Sequence, residues 1–271
     1  MGISNRETKE LNKLKVKATS VNLNEHEKKR VEQLESKLLG ETSYIAKKPT
    51  DKYRLGEFQP EGKQKLVVNE MERYPVVMVQ GASGVGKTTC VVWKALTMLG
   101  TKYKKIVFIK NPTEAGDDQI GFLTGGESSK LEPHFESMRN VFYKFMSKEK
   151  LESDEKNGNI VFTIPNFMLG ATIEDAVYIL DECQTYSPNT IKLLMERVSD
   201  SCLVICLGDK NQVYSVKKRK DGFSDLIERV CHRDEDGVLY SVEPLFSYID
   251  IPPSENRRGK VSQRVTELYG S

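Results

Sequence analysis

Eight consecutive residues, Gly81–Thr88, have the types and spacing that hold a polyphosphate. They read GASGVGKT and match the pattern G-x-x-x-x-G-K-[ST] at every fixed position. Glycines let the backbone wrap its N–H groups around phosphates, Lys87 can reach the β- and γ-phosphates, and the Thr88 hydroxyl can bind Mg²⁺. We therefore predict a triphosphate site with contacts from Gly81, Ala82, Ser83, Gly84, Val85, Gly86, Lys87, Thr88 and Thr89.

Two carboxylates follow a second apolar run. Asp181 and Glu182 come directly after Val177–Leu180, about a hundred residues beyond the P-loop. This placement is typical of a Walker B motif on a strand neighbouring the P-loop. Asp181 would hold Mg²⁺ together with Thr88, and Glu182 would activate the attacking water as general base. Acids also favour the starts of helices, which is the alternative explanation of the pair.

The segment GDKNQ follows a third apolar run, Leu203–Leu207. A polar side chain at the tip of a strand beside the P-loop can touch the γ-phosphate and respond to its loss. Gln212 suits this role because an amide both donates and accepts hydrogen bonds, and Gly208 and Asp209 would line the nucleotide site. The alternative is an ordinary strand-to-turn connection.

The elements that must position these residues follow an alternating pattern. Val76–Val79 precedes the P-loop as a buried strand, and a helix with an apolar stripe follows it up to Gly100. Further strands are predicted at 106–109 and 160–162, and helices from 131 to about 147, from Pro188 after the cap Ser187, and around 223–230. Apolar strands separated by helices predict an α/β fold: a three-layer, RecA-like core with a mostly parallel sheet.

Composition sets wider limits. The 271-residue chain has a net charge of +2, which gives no support for nucleic-acid binding beyond a local patch. Residues 1–55 are rich in Lys and Glu, which predicts a polar helical arm. We expect residues 56–271 to form the ATPase domain. Five cysteines without C-x-x-C spacing are expected to be reduced thiols. With no membrane-length apolar run and no signal-peptide pattern, we expect a cytoplasmic protein.

Four basic residues follow the GDKNQ segment: Lys217, Lys218, Arg219 and Lys220. With Tyr214 before them and Phe223 after them, they could follow a phosphate backbone beside a stacked base. A solvated turn is the alternative explanation of such a run.

The ordered motifs resemble the PhoH family, a branch related to the superfamily 1 helicases. YILDECQT and LGDKNQV resemble its DEAQ and GD-x-x-Q motifs, and NPTEAGDDQIGFLTGG, LEPHFESMRNVF and IPNFMLGATIEDA resemble further family segments over residues 60–268. The resemblance implies an adenine-reading role for Gln64. It also implies that RRGKVSQRV supplies functional arginines at Arg258 and Arg264.

The chain also departs from the family pattern. Leu169 and Ala171 stand where the family usually has arginines, and Asn111 stands near another arginine position. Contacts that relatives make there are therefore not carried over. We also expect no PIN-type nuclease domain in this chain.

Together these features predict an Mg²⁺-dependent ATPase. The resemblance implies action on single-stranded nucleic acid, with RNA favoured over DNA. One P-loop lobe lacks a second lobe to supply an arginine, so Arg258 or Arg264 would reach a neighbouring subunit in a homo-oligomer, such as a hexameric ring. The alternative for the arginines is a polar helix face. Alternatives for the chain are a P-loop kinase and a nucleotide-switched assembly protein that scarcely hydrolyses ATP.

Overall fold

A parallel sheet organises the computed structural model, which describes residues 53–112, 127–168, 172–210 and 221–269 together with Glu27 and Arg30. The described residues form eight strands: β1 (Val76–Gly81), β2 (Lys105–Lys110), β3 (Ile160–Thr163), β4 (Ala176–Asp181), β5 (Leu203–Gly208), β6 (Cys231–Arg233), β7 (Leu239–Ser241) and β8 (Phe246–Ile251). Six of them make one all-parallel sheet in the order β3-β2-β4-β5-β1-β8. β6 and β7 pair antiparallel in a separate hairpin.

Helices cover both faces of this sheet. Those in the described residues are α1 (Lys63–Arg73), α2 (Lys87–Met98), α3 (Glu127–Phe142), α4 (Lys148–Lys156), α5 (Pro188–Met195), α6 (Gly222–Val230) and α7 (Lys260–Tyr269). One core, which includes Val67, Val91 and Phe142, packs α1 to α4 against one face. A second core, which includes Ile191 and Phe223, packs α5 and α6 against the other. The predicted three-layer α/β class is confirmed.

The apolar runs explain the central strands. Every residue of β1, β4 and β5 is buried, as expected for strands covered on both faces. Helix caps explain where the following elements start. Ser187 Oγ accepts a hydrogen bond from the Thr190 amide at 3.1 Å and caps α5, with Pro188 at its first position as predicted.

Two predictions about the elements were wrong. The helix expected to reach about residue 147 ends at Phe142, and Ser147 instead caps the next helix by accepting a hydrogen bond from the Lys150 amide. The strand that carries Asp181 does not neighbour the P-loop strand either. β5 pairs with both β1 and β4 and lies between them.

The amino-terminal region is described only in part. Glu27 and Arg30 are helical, whereas the remaining residues up to 52 lie outside the described residues. Tyr53 and Leu55 pack against the core beside α1 to α4, and the Trp93 indole donates to the Leu55 carbonyl at 2.9 Å. The division of the chain between residues 55 and 56 stays a prediction.

Candidate nucleotide-binding site

Three strands end together at one edge of the sheet and bring the predicted site residues to one place. Gln80 of β1 pairs with Gly208 of β5, and Leu180 of β4 pairs with Cys206 of β5. Because these strands are parallel, the residues that follow β1, β4 and β5 meet at their carboxyl ends. In open parallel sheets this edge is where ligands bind.

The P-loop occupies the connection between β1 and α2. Gly86 has φ 80° and is the N-cap of α2, which begins at Lys87. Gly84 has φ 92°. Both angles lie in the left-handed region, where a side chain is strained, so glycine suits both positions. The loop therefore delivers the N-terminus of α2, with its partial positive charge, to the carboxyl edge of the sheet.

Lys87 folds back over the loop that precedes it. Its ammonium donates to the carbonyls of Gly81 at 2.5 Å and Ala82 at 3.2 Å. Burial lowers the pKa of Lys87, although the negative charges of Glu182 and Asp181 act to raise it. A phosphate bound here would replace the two carbonyls as the acceptor of the ammonium. A hydrogen bond to a charged phosphate oxygen is stronger than one to a neutral carbonyl.

The P-loop hydroxyl meets the first Walker B acid directly. Thr88 Oγ1 donates to Asp181 Oδ1 at 3.2 Å. Asp181 is only 6% exposed, and burial followed by the nearby charge of Glu182 raises its pKa to about 6. Mg²⁺ prefers oxygen ligands, usually one or two carboxylates together with phosphates. Thr88 and Asp181 therefore fit the magnesium site predicted from the sequence.

Glu182 stands at an unusual backbone position. Its φ of 55° and ψ of 48° are left-handed, which is uncommon for a residue other than glycine. The Thr185 amide and hydroxyl both donate to the Glu182 carbonyl at 2.8 Å and hold this turn. Non-glycine residues in such conformations concentrate at functional sites.

Gln184 connects Glu182 to the end of β5 and was missed by the sequence reasoning. Its side-chain Nε2 donates to Glu182 Oε2 at 2.6 Å, and its Oε1 accepts from the Asp209 amide at 3.1 Å. The side chain is only 5% exposed. Its place in DECQT, two residues after the predicted base, could have suggested the contact with Glu182. Spacing alone gives no indication of the contact with the Asp209 amide.

The end of β5 lies beside the P-loop strand, as the GDKNQ interpretation requires. The Lys210 amide donates to Gln80 Oε1 at 3.1 Å. A Cβ on Gly208 would lie 2.4 Å from the Phe223 ring, so this position has no room for a side chain. Asp209 is buried, and its charge acts to raise the pKa of Lys87.

Other predicted residues lie outside the described part of the chain. They are Gln212, Lys217, Lys218, Arg219, Lys220, Leu169 and Ala171. Their roles stay predictions. Asn111 is described, and its Nδ2 donates to the Thr185 carbonyl at 3.0 Å. Thr89 Oγ1 accepts from Lys144 at 3.0 Å.

Gln64 of α1 is buried and forms a hydrogen bond to the P-loop. It is 1% exposed, its Nε2 donates to the Val85 carbonyl at 2.9 Å, and its Oε1 accepts from the Glu61 amide at 3.3 Å. A Cβ on Gly86 would lie 2.7 Å from Gln64 Nε2. Gln64 thus contacts the loop itself, and its adenine-reading role stays a prediction.

The two predicted arginines occupy different places. Arg258 follows β8 and contacts its own chain's P-loop, since a Cβ on Gly84 would lie 3.0 Å from Arg258 Cδ. Arg264 lies on α7, with its side chain exposed. The sequence reasoning had treated the two arginines as equivalent candidates.

An apolar groove of about 880 Å³ lies at the opposite, amino-terminal edge of the sheet. Its lining includes Pro75, Met195, Leu226 and Phe246. Charged side chains at its rim pair with each other, as in Arg229 with Asp225 at 2.6 Å. The groove lacks the glycine turns and buried acids of the P-loop edge, so we place the functional site at the P-loop.

A comparison with protein families settles the relationship of the chain. The family model described as PhoH-like protein matches residues 59–269, which is most of the sequence. The chain belongs to the PhoH-like protein family. The match spans the P-loop, the Walker B acids, the GDKNQ segment and both arginines, so the predicted resemblance is confirmed.

Individual PhoH-like relatives agree with this assignment. A PhoH-like protein of Bacillus subtilis strain 168 is 30% identical over 207 residues, covering 76% of this chain and 61% of the relative. One from Synechocystis is 24% identical over 208 residues, covering 76% and 60%. Protein PhoH of Escherichia coli K12 is 27% identical over 171 residues, covering 62% and 48%. The chain therefore spans about half to three fifths of these relatives' lengths.

None of the helices in the described residues combines the length and the apolar character that a membrane crossing needs.

Proposed function

We propose that this protein hydrolyses ATP in a Mg²⁺-dependent reaction. The observation that carries the proposal is the contact between Thr88 Oγ1 and Asp181 Oδ1 at 3.2 Å, with Glu182 adjacent in sequence. A P-loop hydroxyl, a buried acid and a second acid next to it thus lie together at the carboxyl edge of the sheet. This is the set of groups that phosphoryl transfer to water uses.

Each residue of the pocket has a role in this reaction. The P-loop amides and Lys87 bind and orient the phosphates, and Thr88 and Asp181 would hold Mg²⁺, which neutralises phosphate charge when bound. Glu182 orients the attacking water and accepts its proton. Gln212 would contact the γ-phosphate, and Gln64 would combine support of the P-loop with recognition of adenine.

We further propose that the ATPase is a homo-oligomer, with a hexameric ring as one such assembly. The described residues of α7 support this through an exposed apolar stripe, in which Val261, Val265 and Leu268 are 80%, 47% and 60% exposed. Arg264 lies on the same helix, so a neighbouring copy that covers the stripe would lie beside Arg264. We assign the arginine acting in trans to Arg264 for this reason.

We also propose that hydrolysis is coupled to single-stranded nucleic acid, RNA in preference to DNA. The basic run Lys217–Lys220 follows the β5 end, where Lys210 and Asp209 contact Gln80 and Gln184 through their backbone amides. We propose that a strand bound by this run influences hydrolysis through the end of β5, which precedes the run in the sequence. Neutralising the run should weaken binding and reduce its dependence on salt.

The test is ATP hydrolysis measured with and without single-stranded RNA, at an oligomeric state determined by light scattering. We expect Mg²⁺-dependent phosphate release that RNA stimulates and that Lys87→Ala strongly reduces at ATP concentrations near the wild-type KM. Single-stranded DNA and GTP serve as comparison ligands. Transfer of phosphate to an acceptor other than water would instead indicate the P-loop kinase. Nucleotide binding with turnover unchanged by Glu182→Gln would indicate an assembly switch.

A further inference from the structure

The segment that follows β8 crosses the outside of the P-loop. We name residues 252–258 the C-terminal strap. It starts where β8 ends, and Ile251 there pairs with Gly81, the first residue of the P-loop. Strap and loop therefore leave the sheet side by side, on two neighbouring strands.

The strap forms hydrogen bonds with the tip of the P-loop. Asn256 Nδ2 donates to the Ser83 carbonyl at 3.3 Å, and the Arg257 amide donates to the Gly84 carbonyl at 3.1 Å. A Cβ on Gly84 would lie 2.6 Å from Asn256 Oδ1. Loop and strap are thus in close contact, and Asn256 is only 7% exposed.

The strap also contacts the start of α1 and Glu61 just before it, and α1 in turn contacts the P-loop. The Glu255 carboxylate accepts from the Lys63 amide at 3.1 and 3.3 Å, and Arg257 pairs with Glu61 at 2.7 Å. Gln64, the next residue of α1, donates to the Val85 carbonyl. Three consecutive P-loop carbonyls, those of Ser83, Gly84 and Val85, are therefore bonded to residues outside the loop.

These bonds have a consequence for phosphate binding. In a planar trans peptide the N–H points away from the carbonyl oxygen of the preceding residue. Holding the carbonyls of Ser83 and Val85 outward therefore turns the amides of Gly84 and Gly86 to the opposite side of the loop. Amides arranged before the ligand arrives bind anions without the cost of ordering the loop.

Asn256 also orients the arginine that follows it. Its Oδ1 accepts from the Arg258 amide at 2.9 Å, which is the hydrogen bond of an Asx turn. A Cβ on Gly84 would lie 3.0 Å from Arg258 Cδ, so the side chain that follows this turn lies against the P-loop of its own chain.

We propose that Asn256 is a positioning residue for the P-loop and that Arg258 completes the phosphate site of its own chain. This inference rests on the proposed ATPase function. It makes the strap, together with the P-loop and α1, part of the phosphate-binding site. Arg258 would contribute positive charge at the γ-phosphate, where charge develops during transfer.

The first experiment separates the two contacts of the Asn256 side chain. Asn256→Asp keeps the acceptor for the Arg258 amide but loses the donor to Ser83, whereas Asn256→Ala loses both. We expect Asn256→Ala to weaken binding of a fluorescent ATP analogue with Mg²⁺ by about tenfold, the scale of one lost hydrogen bond near charge, and also to lower kcat. Asn256→Asp should bind at least as weakly, because its carboxylate also repels the phosphates, while its kcat stays closer to that of the wild-type protein.

The control is Asn189→Ala, at an exposed position of α5 on the other side of the molecule. It should match the wild-type protein in affinity, kcat and melting temperature. Asn256 variants that keep wild-type affinity and kcat would overturn the positioning role, as would a loss of melting temperature with kcat and KM unchanged. A wild-type protein that binds no ATP would instead contradict the proposed function.

The second experiment tests whether Arg258 acts in its own chain. Arg258→Ala is mixed with Lys87→Ala, and co-assembly is verified by differently tagged subunits. If Arg258 serves its own site, neither subunit has a complete site and ATPase activity stays at the level of the separate variants. Recovery of activity would overturn the proposal. The matching mixture of Arg264→Ala with Lys87→Ala, which should recover activity, serves as the positive control.

Discussion

The site has two halves: one consists mainly of backbone groups and the other of side chains. The phosphate half, Gly81–Thr88 with the strap and α1, consists mainly of backbone groups whose carbonyls are held from outside. The acid half, at the ends of β4 and β5, consists of side chains, among them the buried Asp181 with its raised pKa and the half-buried Glu182 in a left-handed conformation. Under the proposed function the first half would serve binding and the second would serve turnover, so variants should separate the two.

The largest expected effect is on turnover, in Glu182→Gln. The amide keeps the shape of the side chain but cannot accept the proton of the attacking water. We expect kcat to fall by about 10²–10⁴-fold, the usual contribution of a general base. Affinity for Mg²⁺-ATP, measured by calorimetric titration, should stay close to that of the wild-type protein. A parallel loss of affinity would mean that the two halves cannot be separated.

The next largest effect is on binding, in Lys87→Ala. The variant removes the ammonium that now contacts the carbonyls of Gly81 and Ala82. Loss of one charged hydrogen bond predicts roughly 10–150-fold weaker binding of ATP. The same calorimetric titration measures it, and Lys192→Ala, on an exposed part of α5, is the matched control. Equal affinities for Lys87→Ala and Lys192→Ala would contradict a phosphate-binding role.

A smaller effect on turnover is expected in Gln184→Leu. Leucine fills a similar volume but removes the hydrogen bonds to Glu182 and to the Asp209 amide. We expect kcat to fall by about tenfold, in line with the loss of one charge-assisted contact, while KM for ATP changes little. Steady-state kinetics measure both. If KM rises and kcat does not fall, then Gln184 belongs to the binding half.

The smallest effect concerns the stability of the protein without ligand, in Asp181→Asn. The folded state raises the pKa of Asp181 to about 6 from 3.8, so its contribution to stability is present in acid and is lost as the pH rises through about 6. Asparagine does not ionise. We therefore expect the variant to melt a few degrees higher at neutral pH, with the difference disappearing in acid.

Melting curves at several pH values, recorded without magnesium or nucleotide, test this prediction. A variant that is less stable than the wild-type protein at neutral pH would show that the buried carboxylate is already compensated by Lys110, Lys87 and Thr88, whose effects act to lower its pKa.

The phosphate half was largely predictable from the sequence, because its chemistry depends on local spacing. Gly84 and Gly86 adopt the left-handed angles that only glycine takes readily, and the strand and helix around them are adjacent in the chain. The apolar runs of β1, β4 and β5 likewise predicted a buried parallel sheet, which is the fold observed.

Contacts between distant segments could not be predicted in this way. Asn256 and Ser83 are 173 residues apart, and their hydrogen bond depends on β8 pairing beside β1. The same limit explains why β4 was placed next to the P-loop strand, since a single sequence does not give the order of parallel strands. The second contact of Gln184, to Asp209, also arises only because β5 lies between β4 and β1.

The most direct test of the central claim is a crystal structure with Mg²⁺ and a non-hydrolysable ATP analogue. The account predicts phosphates on the amides of Gly81–Thr88, magnesium bound at Thr88 Oγ1 on the side of Asp181, and Glu182 facing the γ-phosphate. Nucleotide bound away from the P-loop, or magnesium bound with Asp181 and Glu182 turned away from it, would contradict the account.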